Sequence, residues 1–78
     1  MTINELGAKL GEMHHNAPQG SAVAMIHLFG IKYAEHIQKS KFSKKDIAEA
    51  ARIQTSYHTE ISKGVKLAEY VIPKKEFI

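Results

Sequence analysis

The sequence predicts a small, mainly all-α protein, a helical bundle of four to five helices. Apolar residues recur at spacings of three and four along most of the chain, as they do on one face of a helix. Two of these runs follow a serine or threonine that has an acidic residue three positions later. The length of 78 residues fits one domain, which we expect to span residues 1–72 and to leave residues 73–78 as a tail.

The first predicted helix begins after Thr2, because Thr2 and Glu5 have the spacing of a capping box. It should stop near Asn16, since Pro18 and Gly20 lie just beyond. Between these limits one apolar stripe follows helical spacing and should face the core: Ile3, Leu6, Leu10 and Met13.

The second predicted helix covers residues 21–39 and is apolar on most sides, which is typical of a central, buried helix. Gly30 in its middle costs about 1 kcal/mol relative to alanine, so it indicates either a close helix crossing or a break. A strand over residues 22–26 followed by a shorter helix is the alternative that the same residues allow.

Two further helices are predicted in the C-terminal half. Ser43 and Asp46 form another capping pattern, so the third helix should begin directly after Ser43. The helical pattern breaks just before Gln54, and the fourth helix should begin at or next to that residue. Gly64 is placed to end it.

The apolar segment over residues 65–72 has two interpretations. Its spacing suits a further helical turn or two, whereas the β-branched and aromatic run at residues 70–72 would suit a short strand, such as a wing. Pro73 would stop either element.

The composition narrows the class of protein. A chain without cysteine forms no disulfide and no cysteine-ligated zinc site. The sequence shows neither a signal-like N-terminus nor an apolar run of about 20 residues, so we expect a cytoplasmic protein without a membrane partner. So short a chain buries only about 60% of its unfolded surface, and a homodimer would stabilise its thin core.

The net charge of +3 is distributed unevenly. Residues 1–38 carry two lysines against three glutamates, whereas residues 39–78 carry nine basic residues against five acidic ones. The C-terminal half is therefore the part that favours a polyanion, although a normally solvated surface explains the same excess.

Catalysis and metal binding are not expected. The sequence lacks a nucleophile elbow, a glycine-rich phosphate loop and a paired-carboxylate motif. His14 and His15 are adjacent and would point about 100° apart on a helix. His27 and His36 are nine residues apart, which is also a poor spacing for one ion. We therefore expect neither an enzyme nor a cofactor.

Residues 44–64 combine a small residue, a tight break and a late aliphatic residue in one helix pair. Ala48 lies at the centre of the first helix, Ile53 follows the break, and Ile61 lies late in the second helix. On these residues the segment resembles the helix-turn-helix of DNA-binding proteins of the phage-repressor and lac-repressor kind. The resemblance implies sequence-specific binding of double-stranded DNA by a small transcriptional or mobile-element-type regulator.

Two residues depart from that pattern. The family usually has a glycine where this chain has Arg52, at a position that tends to need a positive φ. A residue other than glycine adopts this conformation at a cost of about 1 kcal/mol. His58 stands where the family usually buries valine or isoleucine, and a buried imidazole needs a hydrogen-bond partner.

The resemblance also implies how DNA would be bound. The second helix would lie in the major groove, with its N-terminal end nearest the base edges. Its outward positions would contact bases or nearby phosphates, and they are Gln54, Thr55, Ser56, Thr59, Glu60 and Lys63. Cationic residues on both sides of the groove would contact phosphates, and they are Lys44, Lys45, Arg52, Lys63 and Lys66.

The alternative function is a helical protein–protein interaction module that does not bind DNA. Its surface would be formed by Phe29 and Tyr33, which lie four residues apart beside Leu28, or by Phe77 and Ile78 in the tail. In a homodimer, part of the same apolar helix would form the contact, and two copies would bind half-sites about 34 Å apart.

Overall fold

The computed structural model describes residues 1–77. Over this range the chain forms five α-helices and two 3₁₀ turns, with no strand, which confirms the predicted all-α bundle. The α-helices are α1 (Ile3–His15), α2 (Ala22–Lys32), α3 (Ala34–Lys39), α4 (Lys44–Ala50) and α5 (His58–Leu67). The 3₁₀ turns are Thr55–Tyr57 and Lys75–Phe77.

The limits of α1 are those that the sequence predicts. The Glu5 N–H donates to Thr2 Oγ1 at 3.1 Å, and the Thr2 N–H donates to Glu5 Oε1 at 2.8 Å, which completes the capping box. At the other end the Asn16 N–H donates to the Glu12 carbonyl at 3.0 Å. None of the helices in the described part of the chain, α1 included, is both long enough and apolar enough to cross a membrane.

The apolar segment predicted as one helix is divided into α2 and α3. Tyr33 joins the two helices with φ −108° and ψ 17°, outside helical geometry. Gly30, three residues earlier, lies inside α2 at a close crossing with α5. A Cβ added to Gly30 would lie 2.7 Å from the Ile61 carbonyl oxygen. The close crossing is therefore confirmed, whereas the alternative strand over residues 22–26 is wrong.

The core lies where α2 crosses α5 and where α1 packs on α4. The second contact is also tight, since a Cβ on Gly7 would lie 2.5 Å from the Ala50 Cβ. The largest fully buried side chains fill the space between these helix pairs, and they are Leu6, Leu10, Ile26, Phe29, Ile47 and Ile61.

The prediction of an apolar partner surface at Phe29 and Tyr33 is wrong. Phe29 is 0% exposed, and Tyr33 packs against the core with its ring centroid 5.3 Å from that of Phe29. Phe29 is used inside the bundle because α2 is a central helix, and Tyr33, between α2 and α3, is half-buried against the core. In the tail, Phe77 is 42% exposed, and Ile78 lies outside the described residues.

The helical interpretation of residues 65–72 is confirmed for their first part, which forms the last turn of α5. Gly64 does not end the helix, which continues to Leu67 because Gly64 is used for the contact with α2. The N–H groups of Tyr70 and Val71 then donate to the Leu67 carbonyl at 2.9 and 3.1 Å. This turn leaves the following apolar run without a strand to pair with among residues 1–77, so the predicted short strand or wing is wrong.

Candidate nucleic-acid interface

The turn between α4 and α5 brings the two helices of the C-terminal half together. Ser43 caps α4, with its Oγ accepting a hydrogen bond from the Asp46 N–H at 3.0 Å. After α4 the Arg52 N–H donates to the Glu49 carbonyl at 3.0 Å, and the Ile53 N–H donates to the Ala48 carbonyl at 3.1 Å. These bonds close the helix and reverse the direction of the chain.

Arg52 occupies the left-handed conformation that the turn needs, with φ 61°. It is the one residue other than glycine with a positive φ among residues 1–77. The conformation expected at this position is therefore confirmed, and an arginine adopts it where the helix-turn-helix pattern that the segment resembles has glycine. Its exposed side chain is free of ion pairs with the described residues.

The inner seam of the helix pair is apolar. Ala48 and Ile61 are 0% exposed, and Ile53 packs against the same core. His58 is half-buried rather than enclosed, which removes the need for a buried partner for its imidazole. His58, which replaces the usual valine or isoleucine of the resembled pattern, therefore lies at the edge of this apolar side.

The outer side of α5 and its leading 3₁₀ turn is polar and exposed. The predicted contact residues found there are Gln54, Thr55, Ser56, Thr59, Lys63 and Lys66. Thr59 is also held locally, because its Oγ1 donates to the Ser56 carbonyl at 3.2 Å. Ser62 lies exposed on the same side and was absent from the predicted set. The helical spacing of Thr55, Thr59, Ser62 and Lys66 is the signal that identifies it.

The Glu60 side chain was expected to point outwards, but it turns towards α2. Its Oε1 accepts a hydrogen bond from His27 Nε2 of α2 at 2.7 Å, and its side chain is 20% exposed. Lys63 Nζ lies 3.2 Å from the second carboxylate oxygen. The His27 hydrogen bond, followed by that from Lys63, holds the pKa of the Glu60 carboxyl below its ordinary value of 4.5.

His27 was not recognised from the sequence as part of this surface. It lies 33 residues before Glu60, and nothing in its own neighbourhood along the chain indicates that pairing. The contact exists only because α2 and α5 cross at Gly30 and Gly64.

The basic side chains of the helix pair fall into two groups. Lys63 pairs with Glu60 at 3.2 Å, and Lys66 pairs with Glu69 at 3.4 Å, so the lysines of α5 are partly neutralised by one glutamate within the helix and one just after it. Lys44, Lys45 and Arg52 make no ion pair with any residue of the range 1–77. The unpaired positive charge of the helix pair therefore lies at the start of α4 and in the turn that leads to α5.

The described residues include no group of three or more histidine, aspartate or glutamate side chains arranged to hold a metal ion.

The chain matches no curated protein and no solved structure. Residues 2–74 match the model of a family described as an HTH-like domain. This match takes in α1 to α5, including the helix-turn-helix of α4 and α5. The chain therefore belongs to the family of HTH-like domains.

Proposed function

We propose that this protein binds double-stranded DNA through the helix-turn-helix of α4 and α5, as a small transcriptional or mobile-element-type regulator. The proposal rests on the observation that α5 has one buried apolar side and one exposed polar side. Ile61, Gly64 and Val65 are buried against the bundle, and the opposite side presents hydroxyl and amine groups to solvent. Hydroxyl and amine groups on an exposed helix are suited to base edges and phosphates.

In the proposed complex, α5 lies in the major groove with its leading 3₁₀ turn nearest the bases. Gln54 is exposed at the start of that turn, where its amide can make two hydrogen bonds to adenine. Thr55 and Thr59 present hydroxyl and methyl groups on the same side of the helix. These three residues would supply most of the sequence preference.

Phosphate contacts would come from the basic residues that flank α5. Lys44, Lys45 and Arg52 are free of ion pairs with the described residues, so they bring uncompensated charge to one DNA strand. Lys63 and Lys66 would exchange their glutamate partners for phosphates on the other side. Five such contacts correspond to a slope of about −4 to −5 in log K against log salt concentration.

The direct test is fluorescence anisotropy with a labelled, random-sequence duplex of about 20 base pairs between 50 and 200 mM NaCl. We expect binding that strengthens as salt falls, with the slope given above. Selection from a random duplex library then identifies the preferred site. No binding at 50 mM NaCl, together with a protein partner that co-purifies with the chain, would remove the proposal.

A second candidate function is protein–protein interaction, favoured by the apolar residues after α5. Leu67, Tyr70, Val71 and Ile72 are 40%, 73%, 44% and 90% exposed. Neighbouring apolar side chains of this kind on a small protein are typical of a contact surface. Light scattering of the wild type and of Ile72→Lys tests it. A dimer that dissociates in the variant would assign the segment to a homodimer contact, and a monomer in both would remove that assignment.

A further inference from the structure

A polar cluster joins α2 to the outer side of α5. His27 of α2 contributes Nε2, which lies 2.7 Å from Glu60 Oε1. Because a carboxylate only accepts hydrogen bonds, Nε2 carries the proton and donates. Lys63 Nζ lies 3.2 Å from Glu60 Oε2. The exposed fraction of the side chain is 20% for Glu60, 30% for His27 and 62% for Lys63. Glu60 is therefore the most buried member of the cluster and Lys63 the most exposed.

We infer that His27 is a positioning residue for the DNA-facing side of α5, because its hydrogen bond keeps the Glu60 carboxylate beside α2. The inference rests on the proposed DNA binding and adds a residue from outside the helix-turn-helix to it. Glu60 has neighbours on that outer side, since Thr59 precedes it and Lys63 follows one turn later. The Thr59 hydroxyl already lies 3.4 Å from Glu60 Oε2.

Loss of the His27 donor has two consequences, both unfavourable for DNA. A half-buried carboxylate that loses its partner turns towards water or towards the remaining donors, here Thr59 and Lys63. The negative charge then lies nearer the phosphates and repels them, and it holds Lys63 more firmly away from them. One unit charge acting over about 4 Å in water changes a binding constant about fivefold.

The experiment compares four proteins on a labelled, random-sequence duplex of about 20 base pairs at 50 mM NaCl. They are the wild type, His27→Leu, Glu60→Gln and the double variant. Leucine fills the half-buried position without a donor, so His27→Leu should weaken binding about fivefold. In the Glu60→Gln background the same change should have no effect, because no carboxylate is left to be positioned. A merely structural role would give equal losses in both backgrounds and would overturn the inference.

Two further variants serve as controls, one at position 27 and one at a histidine elsewhere. His27→Gln places an amide donor close to the position of Nε2 and should retain wild-type affinity. His15→Leu removes an exposed histidine at the end of α1 and should also leave binding unchanged. If His27→Leu fails to melt cooperatively, it is replaced by His27→Asn in the comparison of the four proteins. The shorter amide of asparagine does not reach Glu60.

A measurement without DNA separates this inference from the proposed function. NMR titration of the Glu60 carboxyl should show its pKa rising towards 4.5 in His27→Leu, since the His27 hydrogen bond is the largest cause of its lowering. An unchanged pKa would overturn the inference even if the wild type binds DNA. Binding by the wild type with unchanged affinity in His27→Leu would overturn the inference alone. Absence of binding by the wild type would overturn the proposed function and the inference with it.

Discussion

Gly30 of α2 and Gly64 of α5 face each other where the two helices cross, and a Cβ added to Gly64 would lie 2.9 Å from the Gly30 Cα. It would also meet the carbonyl oxygen of His27. The helices are thus in contact through their backbones, which fixes α5 against the bundle. The same crossing brings His27 within hydrogen-bond distance of Glu60.

Alanine at either glycine should destabilise the protein. We expect Gly30→Ala and Gly64→Ala each to lower the free energy of unfolding by about 1–3 kcal/mol, because the added methyl group forces the helices apart. This is the net loss that remains after the gain of about 1 kcal/mol in helix propensity is subtracted. Urea denaturation measures it, with Ala24→Leu at an exposed position of α2 as the control that adds volume without a clash. Stabilisation by either glycine substitution would contradict the close crossing.

Glycine at position 52 should stabilise the protein. Arg52 has φ 61°, a conformation that costs a residue with a Cβ about 1 kcal/mol or more. Arg52→Gly should therefore raise the melting temperature by about 4 °C or more for a chain of this size. Arg52→Ala removes the same guanidinium but keeps the Cβ, so calorimetry should show no comparable gain. Equal melting temperatures for the two variants would mean that the turn is not strained.

Stability should fall in acid partly through Glu60. Its pKa is lowered in the folded protein, first by the hydrogen bond from His27 and then by that from Lys63. A lowered folded pKa contributes stability above the unfolded value, near 4.5, and that contribution is lost as the pH falls through the folded value. The difference in melting temperature between wild type and Glu60→Gln should therefore shrink below pH 4.5. Glu5 and Glu35, whose pKa values are also lowered, remain in both proteins and cancel in this comparison.

Removal of Lys44 and Lys45 should weaken binding to all DNA sequences alike. Phosphate contacts carry no base preference, so Lys44→Ala/Lys45→Ala should reduce affinity several-fold and make the salt slope shallower by about 2. Anisotropy titrations against the selected and the random duplex measure both quantities. Lys9→Ala/Lys32→Ala removes the same charge from exposed positions of the N-terminal half and serves as the control. An equal loss in the control would indicate a general charge effect instead of a contact at α4.

Local signals in the sequence predicted much of the fold. Thr2 and Ser43 cap helices because their hydroxyl groups reach backbone N–H groups three residues away, a relationship visible in the sequence itself. The conformation of Arg52 follows from the need to reverse the chain directly after α4. Such features depend on neighbours along the chain, so a single sequence suffices for them.

Features that depend on distant parts of the chain were not predictable in the same way. Gly64 fits a helix end when taken alone, but the structure uses it to admit the backbone of α2. Residues 70–72 have strand-like side chains, yet a strand needs a partner, and the described chain provides none. The orientation of Glu60 depends on His27, a residue whose position is set by the same helix crossing.

The two sides of α5 carry separate tasks along one helix. Ile61, Gly64 and Val65 secure it to the bundle, while the outer residues make no contribution to the buried core, and they are Thr59, Ser62, Lys63 and Lys66, with Thr55 of the leading 3₁₀ turn. The outer residues can therefore be exchanged as a set while the scaffold is retained. A library randomised at these outer positions, screened for thermal stability, should yield mostly folded proteins. The domain thus provides a compact framework on which a surface of different chemistry can be grafted.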